Sequence, residues 1–515
     1  MLSIIKSMTL NGIEGVIVDV QVDVSAGIPC WEVVGLPDVS IKEARERVRT
    51  AIKNSGYEFP SRRIVINLSP ATIKKEGTNF DLPIAIAVLI ASGIIKCFDS
   101  KDIIFLGELG LDGVINPVRG VLAMCIEAKK LGFRFVIVPR LNAKEASIVE
   151  GISIIPVETL SQTIAFLNKK IIINPEKNNI PDINKQNYQN DMDFSEVRGQ
   201  KNIKRALEVA ASGGHNCLLI GSPGCGKTMM AKRLTTILPK LSFDEALEVT
   251  KIHSIAGLVD NNVPFIVNRP FIAPHHTISK TSLVGGGRIP KPGDISLAHY
   301  GVLFLDELPE FEKSKIEILR SPLEDGKISI SRVNSTVTYP CKFMLVASMN
   351  PCPCGYYGSE KECRCSEKEI QRYLSKISGP ILDRIDIQVE VSSVKFDAFS
   401  SSNEEESSDN IRDRVSRARK IQLKRYKNEG IFSNSELTPK LIEKYCKLNK
   451  ECKVLIEKIF RKMNLSARAY SRILRVSRTI ADMNGCVNIE KEHLLEAIQY
   501  RNLDKKYKWN KLECM

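Results

Sequence analysis

The sequence predicts an α/β protein in three parts: an α/β layer over residues 1–170, a second α/β core over 193–391, and an α-helical region over 410–515. Three observations predict this. The octapeptide Gly221-Ser222-Pro223-Gly224-Cys225-Gly226-Lys227-Thr228 fits G-x-x-x-x-G-K-[ST] and lies between an apolar run, 217–220, and a helical stretch, 229–238. A second apolar run, 302–305, ends in two carboxylates, Asp306 and Glu307. Two polar stretches break the chain: 171–192, dominated by Asn, Lys, Gln, Pro and Asp, and 400–409, acidic and serine-rich. The first reads as a linker.

In the first part, residues 16–24 alternate apolar and polar and read as a half-buried strand. Segments 31–34 and 63–67 are further strands, and 41–56, rich in Glu, Arg and Ala, is an amphipathic helix. The longest apolar run, 82–95, is broken by proline, serine and glycine. It is too short to span a membrane and reads as a core helix. Strands at 135–138 and 152–156 close the layer.

The octapeptide is a phosphate cradle. Its glycines, Gly221, Gly224 and Gly226, let the backbone N–H groups of the loop, with Ser222, Pro223 and Cys225, close around phosphate oxygens. The following helix N-terminus adds partial positive charge. Lys227 reaches the terminal phosphates, and the Thr228 hydroxyl can ligate Mg²⁺. A chance glycine-rich turn is the alternative, and the second motif argues against it. Run 302–305 reads as a central strand buried on both faces. Carboxylates at its end are costly unless they meet a cation or act on water. Asp306 would hold Mg²⁺, and Glu307 would orient and deprotonate the attacking water. A third strand, 343–347, leads to Asn350, whose amide can position the same water. Together these favour an ATP hydrolase over a passive nucleotide binder.

The 515 residues carry a formal charge of +14 and 43% hydrophobic residues. The pI is about 9.0. That balance favours a polyanionic partner, most simply nucleic acid, or reflects a generally lysine-rich proteome. The first ten residues lack the features of a secretory signal, so a cytoplasmic protein without membrane segments is expected.

Most of the 14 cysteines read as small buried hydrophobes. Four differ. Cys352, Cys354, Cys363 and Cys365 form two C-x-C pairs with Gly355 and Gly358 between them, a set that can enclose a tetrahedral Zn²⁺. The spacing is tighter than the common C-x₂-C knuckle, and unliganded thiols are the alternative. His275 and His276, adjacent on an extended segment, would point to opposite faces and chelate poorly.

Two segments read as contacts for DNA phosphates. Residues 281–294 hold four glycines, two prolines, Arg288 and Lys291 in a loop that can approach a backbone closely. Residues 327–339 alternate and turn near Asn334, a hairpin with Arg332 near its tip; a merely solvated hairpin is the other reading.

Several motifs carry a resemblance: Gly35-Leu36-Pro37-Asp38, Asn67-Leu68-Ser69-Pro70, Phe80-Asp81-Leu82-Pro83, Ala273-Pro274-His275-His276-Thr277, Gly285 to Arg288, Asp306 to Phe311, Asn350 to Gly355, and Leu382 to Asp386. The core resembles AAA+ P-loop ATPases of the magnesium-chelatase-like branch, and nearly the whole chain resembles the YifB/ComM family. The resemblance implies a homo-oligomeric, hexameric ring that acts as a helicase on single-stranded or branched DNA, driving branch migration in recombination or natural transformation. It places Arg384 as an arginine finger reaching a neighbouring subunit's γ-phosphate. It makes Arg468 the arginine of a C-terminal helical lid that contacts nucleotide within its own subunit. It has the glycine-rich loop project into a central pore, and it matches the 327–339 hairpin to one that grips DNA.

The first part is similar to the Lon protease domain (ribosomal S5 domain 2-like) without its catalytic Ser and Lys. Asn79 stands where the serine would be, and Arg119 to Met124 lacks the lysine. A Ser-Lys hydrolase mechanism is then unavailable, and a scaffold or DNA-contacting collar is expected. A magnesium-chelatase-like motor that remodels a partner protein is the competing function.

Overall fold

The structure is a computed structural model that describes every residue except 97, 99, 179–191, 261, 288–289, 333–334, 393–404, 464, 502, 504–506 and 508–515. Most of the expected linker, and Arg288 in the glycine-rich loop, therefore lie outside the described residues.

The N-terminal part is built on a seven-stranded mixed sheet. Its strands are β1 (Leu2–Asn11), β2 (Glu14–Ser25), β3 (Cys30–Val34), β4 (Arg63–Ser69), β5 (Ile103–Phe105), β8 (Phe135–Pro139) and β9 (Ser153–Val157), in the order β3-β4-β2-β1-β5-β8-β9. A small hairpin, β6 (Glu108–Leu109) with β7 (Ile115–Asn116), lies apart. The expected strands are present. The sequence reading has no strand at β1, which pairs antiparallel with β2 from Leu2↔Asp23 to Asn11↔Glu14. The apolar run at 82–95 forms the helix Asp81–Ala91, in which every residue is buried. Asp81 opens that helix, and Arg47 forks onto it with bonds of 2.6 and 3.0 Å, giving a buried carboxylate its cation.

The second part holds a five-stranded parallel sheet in the order β11-β14-β17-β10-β18. Its strands are β10 (Cys217–Gly221), β11 (Phe271–Ile272), β14 (Val302–Leu305), β17 (Met344–Met349) and β18 (Ile387–Val391). β10, β14 and β17 are the three apolar runs of the sequence, buried throughout and neighbours in the sheet. Two hairpins interrupt it: β12 (Gly285–Gly286) with β13 (Lys291–Pro292), and β15 (Lys327–Arg332) with β16 (Ser335–Pro340).

The C-terminal helices are not a free-standing unit. Val415, Ile473 and Leu494 share one core with Leu207, Leu234 and Ile387 of the sheet region. A buried polar chain runs across that junction, with His215 between Asp386 (2.9 Å) and Thr479 (2.7 Å). On the other side, Val249 and Phe265 pack with Met8 and Val136 of the N-terminal sheet.

Candidate nucleotide site

β10 ends at Gly221, and the helix Lys227–Ile237 begins where the P-loop ends. Gly226 caps that helix at φ 90°, a left-handed conformation that a Cβ would strain. Lys227 is 8% exposed, and its Nζ donates to Gly221 O at 2.6 Å, Ser222 O at 3.0 Å and Asn350 Oδ1 at 3.0 Å. Burial lowers its pKa. The ammonium is thus folded into its own loop, against acceptors that a phosphate would replace.

Thr228 Oγ1 donates to Asp306 Oδ2 at 2.7 Å. The Ser348 hydroxyl donates to the other oxygen of Asp306, and Ser348 Oγ accepts from the Glu307 N–H at 3.2 Å. Glu307 has φ 53° and an exposed side chain at the C-terminal end of β14. The parallel register brings these residues together, because β10, β17 and β14 end side by side. Hydroxyl and carboxylate oxygens form a hard donor set that fits Mg²⁺, which Thr228 and Asp306 would hold. Two contributors escaped the sequence reading. Ser348 stands two residues before Asn350, and Gln200 bridges the P-loop to β18, its Nε2 donating to Cys225 O and Ser392 O at 3.1 Å each.

Arg384 is at the other end of the sheet. Asn216, just before β10, donates to Arg384 O at 2.8 Å and accepts from the Leu345 N–H at 2.8 Å. A five-residue strand therefore separates Arg384 from its own P-loop, about 15 Å. Its Nη1 donates to Pro380 O at 2.6 Å, it ion-pairs with Glu324, and its buried Nε has no partner.

Arg468 does not lie beside the P-loop of its own chain. Its Nη1 donates to Asp383 Oδ2 at 3.0 Å, and the side chain is 72% exposed. The helix Ala467–Met483 packs against the Arg384 end of the sheet, where Arg468 meets Asp383. Arg472, on the same helix, donates to Asp383 Oδ1 at 2.8 Å. Burial works to raise the Asp383 pKa, but the two arginines outweigh it and hold the carboxyl below its ordinary value. Arg384, Arg468, Arg472 and Arg475 line one open cleft.

The hairpins contact each other, Tyr339 Oη donating to Pro290 O at 2.7 Å. Lys291 is exposed opposite Gly286, on a cleft that Asp38, Glu43 and Glu76 also line. Arg332 pairs with Ser335 at the end of β15; its side chain is not described. The four cysteines of 352–365 gather with all sulfurs within 4.8 Å of one another. The rings of His275 and His276 lie together, centroids 4.1 Å apart, rather than on opposite faces, because the two residues stand in a turn closed by the Ile278 N–H on His275 O and not in a strand. Among the described residues they belong to no cluster of metal-ligating side chains.

Three family models of the magnesium chelatase subunit ChlI match the chain, over residues 20–142, 193–399 and 405–501. Competence protein ComM of Haemophilus influenzae is 43% identical, with 97% of each chain covered. YifB of Escherichia coli K12 is 42% identical, with 98% of each covered. The chain belongs to the YifB/ComM family. The magnesium-chelatase 38 kDa subunit of Cereibacter sphaeroides is more distant, 24% identical over 31% of this chain and 52% of its own. YifB/ComM membership carries with it a magnesium-chelatase-like AAA+ ATPase core using ATP and Mg²⁺. Among the described residues no helix is long and apolar enough to cross a membrane.

Proposed function

We propose that the chain is the subunit of a hexameric ring that hydrolyses ATP to move along single-stranded or branched DNA, driving branch migration during recombination or DNA uptake. The observation that carries this reading is the separation of Arg384 from the P-loop. A guanidinium one strand-length from its own nucleotide can act only on a neighbour's, and a ring supplies that neighbour at every interface. Arg468 then serves the same neighbouring site.

Within a subunit, the P-loop N–H groups and Lys227 bind the phosphates, Thr228 and Asp306 hold the metal, and Glu307 with Asn350 orients the attacking water. Bound Mg²⁺ supplies charge neutralisation at the transferred phosphoryl group. Arg288, Lys291 and Arg332 contact DNA phosphates from the two hairpins, and Cys352, Cys354, Cys363 and Cys365 hold structural zinc. The N-terminal part is a non-proteolytic, Lon-like collar, and the helices of 410–515 are the lid. The net charge of +14 and the relative named for competence favour DNA as the polyanion.

The matches to ChlI favour a second reading, a motor that remodels a partner protein. Measuring ATP hydrolysis with and without four-way DNA separates the two. Stimulation several-fold above the basal rate is expected; a rate indifferent to DNA, in protein that does hydrolyse ATP, would favour the second.

A further inference from the structure

The four clustered thiols sit on the nucleotide site itself. Sulfur separations are 3.3 Å for Cys352–Cys354, 3.7 Å for Cys352–Cys363 and 3.6 Å for Cys354–Cys363. Zn–S bonds of about 2.3 Å in a tetrahedron place sulfurs about 3.8 Å apart, so the cluster encloses a hole of the right size. Two backbone N–H groups aim at sulfur, Tyr357 N at Cys352 Sγ (3.3 Å) and Cys354 N at Cys365 Sγ (3.4 Å). Such donors offset negative charge on metal-bound thiolates.

The loop that carries them touches two parts of the ATP site. It leaves β17 directly after Asn350, whose amide oxygen holds Lys227. At its turn Gly355, with φ 85°, packs so closely on the P-loop that a Cβ there would come within 2.5 Å of Pro223 Cδ and 2.8 Å of Pro223 Cγ. The knuckle therefore spans from the Asn350 strand to the outer face of the P-loop.

We propose that Cys352, Cys354, Cys363 and Cys365 bind one zinc ion whose task is to clamp the 351–365 loop against Pro223, so that metal occupancy sets the affinity of the P-loop for ATP. Without the ion, the two ends of the loop are held only by apolar packing and the weak N–H···S contact from Cys354 to Cys365. The spacing between Asn350 and the P-loop then relaxes. The proposal rests on the ATP reading of residues 221–228, and its test keeps the two apart.

The experiment uses the purified full chain. Elemental analysis is expected to give about one zinc per chain, and cobalt replacement to give the absorption of a tetrahedral thiolate site. Affinity for a fluorescent ATP analogue with Mg²⁺ is expected to fall about tenfold on zinc removal, as a misplaced binding group would produce, and to return when zinc alone is added back. Gly355→Ala, which pushes the knuckle off Pro223, is expected to keep its zinc and still bind the analogue about tenfold more weakly. Lys227→Ala is expected to lose the analogue and keep zinc. A chain that takes up no zinc overturns the site. Unchanged ATP affinity in both stripped protein and Gly355→Ala overturns the clamp. Zinc-loaded wild type that binds no ATP overturns the clamp by way of the nucleotide reading, and its intact metal content identifies that cause.

Discussion

Lys227 is the residue on which the site turns. A buried ammonium is costly unless its protons find acceptors, and here two backbone carbonyls and the Asn350 amide supply them. A phosphate taking the place of those carbonyls restores charge pairing, so the lysine contributes to ground-state binding. Glu307 is exposed, just past the end of a strand and beside Asp306. The two substitutions are therefore expected to separate binding from chemistry. Lys227→Ala should abolish measurable ATP binding. Glu307→Gln should bind ATP as wild type does but hydrolyse it about 10²- to 10⁴-fold more slowly, the usual worth of a general base. Equilibrium binding and steady-state hydrolysis on the same preparations check this, and equal ATP affinity in wild type and Lys227→Ala would contradict it.

At the level of elements, the two hairpins act as one body. Tyr339 ties β16 to the glycine-rich loop through Pro290 O, and Ile330 and Leu283 lie in the same buried cluster. The cluster also contains Leu305 and Met349, which adjoin Asp306 and Asn350. At the base, Glu324 of the helix Arg320–Asp325, which leads into β15, ion-pairs with Arg384. Hairpin, nucleotide site and Arg384 are thus joined by contacts rather than by the chain alone. If Lys291 and Arg332 contact DNA phosphates, each releases about one counterion's worth of salt dependence. The double variant Lys291→Ala, Arg332→Ala should weaken DNA binding equally across sequences and reduce the salt slope by about two. An unchanged slope across a salt titration would place the DNA contact on another surface.

For the whole molecule, the decisive relation is between the two ends of the five-stranded sheet. The P-loop, Asp306 and Asn350 stand at one end, and Arg384, Arg468 and Arg472 at the other; in the proposed ring one chain would carry two halves of different sites. Arg384→Ala is expected to lower hydrolysis about 10³- to 10⁵-fold while leaving ATP binding intact. Mixing it with Glu307→Gln subunits should restore part of the activity, because some interfaces then combine an intact finger with an intact base. Absence of any recovery, in assemblies shown to be mixed, would mean that Arg384 works inside its own subunit.

The sequence by itself determined the elements whose signal is local. The P-loop glycines, the apolar strands with their terminal carboxylates and the helix Asp81–Ala91, apolar after its first residue, each follow from a few neighbouring residues. β1 did not, because Leu2–Asn11 becomes a strand by pairing with β2 and by burial against the helices, both of which are long-range. Ser348 was overlooked for a related reason: a serine in an apolar strand gains meaning only when the parallel register sets it against Asp306. A polar break in the chain marks where the C-terminal helices begin, but only the tertiary structure shows that their apolar faces share one core with the sheet region. Arg468 shows the limit most plainly. Its residue type is legible in the sequence, but what it faces depends on the end of the sheet where its helix docks. That docking is set by the packing of the C-terminal helices and by Asp383, 85 residues away in the chain.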